Sequence, residues 1–132
     1  MEIDNRIRED FAMAQAVVDE FVVGVRKPKI TKVSVSTRMT RALGRCKTYG
    51  GIASLRYSEI VISKYLLDDK YNRVNRVGTL IHEILHAYFP IDRHGGYWKK
   101  YAKMISDNSM FNIETYATDD EYAEFVAAKN RA

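Results

Sequence analysis

The chain has three histidines, His82, His86 and His94, all within thirteen residues. The first two frame His82-Glu83-Ile84-Leu85-His86, the pattern H-E-x-x-H. On a helix, positions four apart project on one side, about one turn from each other. A shared metal ion demands that spacing, because both imidazoles must reach it at about 2.0–2.1 Å. Glu83 then stands beside the ion without needing to ligate it. A carboxylate there can take a proton from an activated water and hand it to a leaving amine. The chemistry is hydrolysis of an amide bond. Zinc suits it, with three protein ligands and a fourth position left to water. Ligand type alone also admits manganese or nickel.

His94 is the expected third ligand. It follows the first two by a loop long enough to turn back, and Gly95-Gly96 gives the backbone freedom there. Asp92 and Glu114 are its competitors, since a carboxylate completes some sites of this kind. A non-catalytic zinc-stabilised domain, binding nucleic acid or acting as an adaptor, is the alternative. Such a structural site has no chemical use for Glu83 and normally takes a fourth protein ligand, which is not evident here. Cys46 lies in a strand-like run without a flanking histidine and reads as a small buried side chain. Tyr97 and Trp98 read as packing residues, with hydrogen bonding to a developing oxyanion as the second role open to Tyr97.

These residues need elements to hold them. Val74, Val77, Ile81, Ile84, Leu85 and Tyr88 recur at helical spacing and Pro90 ends the run, which predicts a helix over 74–89. With the stripe at Ile81 as origin, the two imidazoles fall about 100–140° around the helix and Glu83 about 200°. The stripe anchors the helix while its flank presents nitrogens to a cleft. Ile3, Ile7, Phe11, Ala14, Val18, Phe21 and Val25 predict an earlier amphipathic helix, ended by Gly24 and Pro28. Lys32-Val33-Ser34-Val35-Ser36 alternates as a half-buried strand does. Two further strands, over 41–49 and 52–58, would form a tight hairpin at Gly50-Gly51. A short helix over 59–67, a helix over 97–106, a strand over 111–117 and a closing helix from 119 complete the expectation. The class is α+β, with helices packed on a small antiparallel sheet.

The 132 residues, 46% hydrophobic and 29% charged, suit one soluble globular domain spanning 1–132. A single cysteine excludes an internal disulfide and a cysteine zinc ribbon. No apolar run approaches the roughly 20 residues of a membrane span, and the charged N-terminus is unlike a signal peptide, so the expected compartment is the cytoplasm. The net charge of +4 is unevenly spread. Residues 21–58 hold Arg26, Lys27, Lys29, Lys32, Arg38, Arg41, Arg45, Lys47 and Arg56 and not one of the acids. The basic segment between Arg26 and Arg56 is therefore expected to face a polyanion such as DNA, against the plainer reading of a sheet edge guarded by cations.

The run Leu80-Ile81-His82-Glu83-Ile84-Leu85-His86-Ala87, followed by His94-Gly95-x-x-Trp98-Lys99, resembles the SprT-like zinc metalloproteases. Leu43-Gly44-Arg45-Cys46 through Gly51, with Leu55-Arg56-Tyr57-Ser58, is similar to that family's strand pair before the zinc helix, and Asn112-Ile113-Glu114-Thr115-Tyr116 to its closing segment. The likeness covers about 30–117. The resemblance implies zinc on His82, His86 and His94, Glu83 as general acid/base, a zincin-like minimal catalytic domain, and, as in eukaryotic members, proteolysis of proteins crosslinked to DNA. Two departures stand out: the chain lacks the cysteines for a C-terminal zinc ribbon, and Gly96 replaces the common proline of a His-Gly-Pro turn. The second implies a more mobile third-ligand loop.

Overall fold

The computed structural model describes residues 1–39, 42–51, 55–68 and 72–113. Four strands, β1 (Glu2–Ile3), β2 (Ile30–Ser36), β3 (Gly44–Tyr49) and β4 (Tyr57–Ser63), form one sheet in the order β1-β2-β4-β3. Three helices, α1 (Arg8–Phe21), α2 (Arg73–Tyr88) and α3 (Gly96–Asn108), pack with it. The class is α+β, as expected. The sheet, however, is mixed rather than antiparallel: β1 and β4 both run parallel to β2, and only β3 runs against β4. The reason lies in β4. Its Ile60 and Ile62 are fully buried, and a strand with that much apolar surface takes a central position, between β2 and the edge strand β3.

That placement corrects two further expectations. Residues 59–63 are strand, and helical structure is confined to a 3-10 turn, Lys64–Leu67, whose first N–H groups are met by the Ser63 hydroxyl accepting from Tyr65 N–H. Glu59-Ile60-Val61-Ile62-Ser63 buries every second residue, and its β-branched side chains fit a pleated sheet. Tyr49 pairs with Tyr57, so seven residues connect β3 to β4 rather than a two-residue turn. Gly50 is still required: its φ is +84°, and a Cβ there would lie 2.5 Å from the Leu55 carbonyl oxygen.

At the N-terminus, Ile3 belongs to β1, not to the first helix. The Asp4 side chain caps a 3-10 turn over Asn5–Ile7, and α1 begins only at Arg8 and ends at Phe21. Its buried face is nonetheless the expected stripe, Phe11, Ala14 and Val18, continued upstream by Ile7. Asp10, 5% exposed, accepts hydrogen bonds from Arg73 Nε and Arg76 Nε, both at 2.9 Å, and so ties α1 to the first turn of α2.

Helix α2 starts where Asn72 accepts from Asn75 N–H and stops one residue before Phe89-Pro90. Val77 through Leu85 are buried without interruption, because α1, α3 and the sheet surround this helix. Helix α3 buries Trp98, Ala102 and Ile105. Phe111 to Ile113 form no strand, although Phe111 and Ile113 are buried. The rest of the expected strand over 111–117, and the helix from 119, lie outside the described residues. No helix among the described residues is long and apolar enough to cross a membrane.

Candidate metal centre

His82 and His86 project from one side of α2, and His94 reaches them from the loop between α2 and α3. Their Nε2 atoms form a nearly equilateral triangle, 3.2 Å between His82 and His86 and 3.1 Å from each of these to His94. An ion held tetrahedrally by three nitrogens at about 2.0–2.1 Å keeps them about 3.3 Å apart. The triangle has the size of such a site, and its all-imidazole donor set suits a divalent ion of the zinc class.

The rings are prepared for that role. The His82 ring stands 3.1 Å through Nδ1 from the Ile113 carbonyl oxygen. A carbonyl only accepts, so the proton sits on Nδ1 and the Nε2 lone pair is left for a metal. Burial lowers the His82 imidazole to about 4 despite that hydrogen bond. His86 falls to about 3, first through burial and then through the neighbouring histidines, and burial lowers His94 as well. All three are therefore neutral near pH 7, the form that ligates.

Trp98 is the common wall of the three rings. It stacks on His86 at 5.1 Å and 18° and meets His82 and His94 edge-on at 4.8 and 4.7 Å. Its indole N–H donates to the His82 carbonyl oxygen at 3.3 Å. Sequence reasoning gave Trp98 a packing role between helices and, through the SprT-like resemblance, a place in the pattern after His94-Gly95. The signal was its position four residues after His94, which puts it one helical turn from the loop that carries that ligand.

Glu83 is buried at 2% exposure, and burial pushes its carboxyl up to about 8 while the Arg45 charge pulls it the other way. Edge strand β3 comes so close that a Cβ on Gly44 would lie 2.7 Å from Glu83 Oε2 and 3.0 Å from Thr79 Cγ2. Only a glycine leaves room for the carboxylate there. Cys46, two residues on, is half-buried, and burial together with the Glu83 charge pushes its thiol up to about 12. Such a thiol is not a nucleophile.

The third-ligand loop is built around Asp92. Its carboxylate accepts from Tyr97 N–H at 2.9 Å and its carbonyl from Gly95 N–H at 2.9 Å, which closes the first turn of α3. Asp92 is thus a capping residue and not a ligand; Glu114, the other competitor, lies outside the described residues. Gly96 takes φ +52° directly against the Asp92 carboxylate. Proline, fixed near −65°, cannot adopt that angle, so the glycine belongs to a different, capped closure of the loop. Tyr97 is 61% exposed and stacks on Phe89, away from the residues that line the cleft beside the histidines, which favours its packing role over the oxyanion role.

The cleft encloses about 560 Å³ and runs between β3 and the α2–α3 loop, with His82, Glu83, His86 and His94 along its floor. No curated protein matches the chain. The family model of the SprT-like family matches residues 11–117, which takes in β2, β3, β4 and all three histidines. The chain belongs to the SprT-like family.

Proposed function

We propose that this protein is a zinc-dependent endopeptidase of the cytoplasm that cleaves proteins bound or crosslinked to DNA. Membership of the SprT-like family points to a metalloprotease-like domain. The observation that carries the finer reading is the triangle of three Nε2 atoms with Glu83 on the same helix. When bound by His82, His86 and His94, zinc would lower the pKa of a water toward about 7 and polarise the scissile carbonyl. Glu83 moves the proton: its carboxylate takes one from the attacking water and gives it to the leaving amine nitrogen. Burial suits it to this exchange, because a carboxyl held near neutrality both accepts and donates. Strand β3 is an edge of the sheet and lines the cleft through Gly44, Cys46 and Thr48, so an extended substrate can add to it as a further strand.

DNA contact is supported by the outer face of the sheet. Lys32, Glu59 and Lys47 share one row, opposite the row of Val33, Ile60 and Cys46 that faces the core. Arg45 and Arg38 lie beside them. Two cations per carboxylate in that row, with further arginines around it, favour a phosphate backbone.

The test is metal content by mass spectrometry, followed by cleavage assays with and without DNA. One zinc per chain is expected in the wild type, lost in His94→Ala and kept in Glu114→Ala. Glu83→Gln is expected to keep zinc and lose cleavage. A wild type that takes up no zinc at saturation would end the protease reading. Zinc without cleavage of any protein substrate would favour the zinc-stabilised binding or adaptor domain.

A further inference from the structure

The cleft beside the histidines has a charge that hydrolysis alone does not require. Two arginines line it from opposite walls, Arg56 just before β4 and Arg93 on the α2–α3 loop, while the Arg45 side chain alternates onto the outer face of β3 with Lys47. Among the described residues, neither of the two has an ion-pair partner, and the buried Glu83 is the only carboxylate lining the cleft. Arg93 has φ +53°, a conformation that disfavours any residue with a Cβ. An arginine guarding the sheet edge against aggregation accounts for Arg45 but not for Arg93 on the facing wall.

We propose that Arg56 and Arg93 are specificity-determining residues that select peptide segments carrying acidic side chains beside the scissile bond. The proposal rests on the endopeptidase reading and adds the substrate class to it. A peptide is favoured over a nucleic-acid backbone for two reasons. The edge of β3 offers main-chain donors and acceptors that an extended peptide pairs with and a phosphodiester chain does not. In addition, Ile91, 84% exposed, places an apolar side chain on the same cleft. Guanidinium groups recognise carboxylates through paired N–H donors, so glutamate and aspartate at flanking positions are the natural occupants.

The experiment uses zinc-loaded Glu83→Gln protein and fluorescent peptides identical except for Glu, Gln or Lys at positions flanking a central apolar pair. Binding is read by anisotropy, beside cleavage of a denatured protein mixture by the zinc-loaded wild type. Glu peptides are expected to bind about fivefold more tightly than Gln peptides, as a half-exposed ion pair supplies, with Lys peptides weakest. That ratio is expected to shrink toward one in Arg56→Gln and Arg93→Gln, and with added salt. Equal binding of the three peptides while the wild type cleaves proteins would overturn the proposal and leave the endopeptidase standing. Equal peptide binding, with a single-stranded oligonucleotide bound in the cleft and lost in the same arginine variants, would assign the arginines to phosphates and overturn it too. A Glu preference without cleavage of any protein would uphold the selective cleft and sink the endopeptidase; neither preference nor cleavage would overturn both.

Discussion

Glu83 is held by what is missing from its neighbour. Gly44 has no side chain, and the space a Cβ would fill belongs to Glu83 Oε2, 2.7 Å away, and Thr79 Cγ2, 3.0 Å away. Backbone strain is not the reason for this glycine, since its φ lies outside the left-handed region. Gly44→Ala therefore leaves β3 able to form but displaces the carboxylate along the cleft. The expected result is a fall in kcat/KM of about ten- to hundredfold, the size that misplacing a catalytic group by about 1 Å produces, with zinc content unchanged. Full activity in Gly44→Ala would show that Glu83 has room to spare. Loss of zinc would show instead that β3 supports the ligands. His82 shows the complementary arrangement, where a main-chain carbonyl at Ile113 fixes the ring. The imidazole ligands and Glu83 were readable from spacing because each is a side chain in a motif. The Ile113 carbonyl was not, because every residue has one and only the folded chain shows which is near.

The elements divide in the same way. Helix α2 was readable almost to its ends because its apolar spacing and Pro90 agree, whereas its Asn72 cap emerged only in the structure. Residues 59–67 were not: Ile60, Ile62, Leu66 and Leu67 satisfy a short helix as well as a strand, and pairing with β2 and β3 decided the matter. The parallel direction of β2 and β4 was equally hidden, since it depends on contacts between residues 27 or 28 positions apart. The loop between α2 and α3 departs most informatively. Sequence resemblance implied that Gly96, in place of proline, loosens it; in the structure Asp92 closes the loop by a cap, with Gly96 at φ +52° against its carboxylate. Two variants test that closure. Asp92→Ala is expected to cost about 1 kcal/mol of stability, as loss of a helix cap does. It should also weaken zinc binding about tenfold, read by competition with a chelator, because His94 lies two residues on. Gly96→Pro is expected to weaken zinc binding more than Asp92→Ala, since it alters the backbone itself. Unchanged zinc affinity in both would show that His94 is placed without the cap.

For the molecule as a whole, the centre is a group of buried titratable residues whose preferences conflict, and the pH dependence of stability should reveal it when metal is withheld. In the metal-free fold burial lowers His82 to about 4 and His86 to about 3, against 6.5 in an unfolded chain. Between those limits the unfolded state binds protons that the fold refuses, so stability falls as pH drops below about 6.5. Glu83 acts in the opposite sense. Burial raises it from 4.5 to about 8, so from 4.5 upward the unfolded chain releases a proton that the fold retains, and stability falls as pH rises toward 8. From 4.5 to 6.5 the two depressed imidazoles outweigh the single carboxyl, and above 6.5 the carboxyl acts alone. Cys46, raised to about 12 from 9.0, adds a loss of the same sign only at higher pH. Melting temperature measured with a chelator from pH 5 to 9 should thus peak near pH 6.5 and decline on both sides. Saturating zinc needs neutral imidazoles and favours an ionised Glu83, so it should remove the decline between pH 6.5 and 8 and add most stability at the alkaline end. A chelated protein whose melting temperature climbs steadily from pH 6.5 to 8 would mean that Glu83 is already ionised in the fold. In that case the proton it moves in catalysis would have to be held there by the substrate rather than by burial.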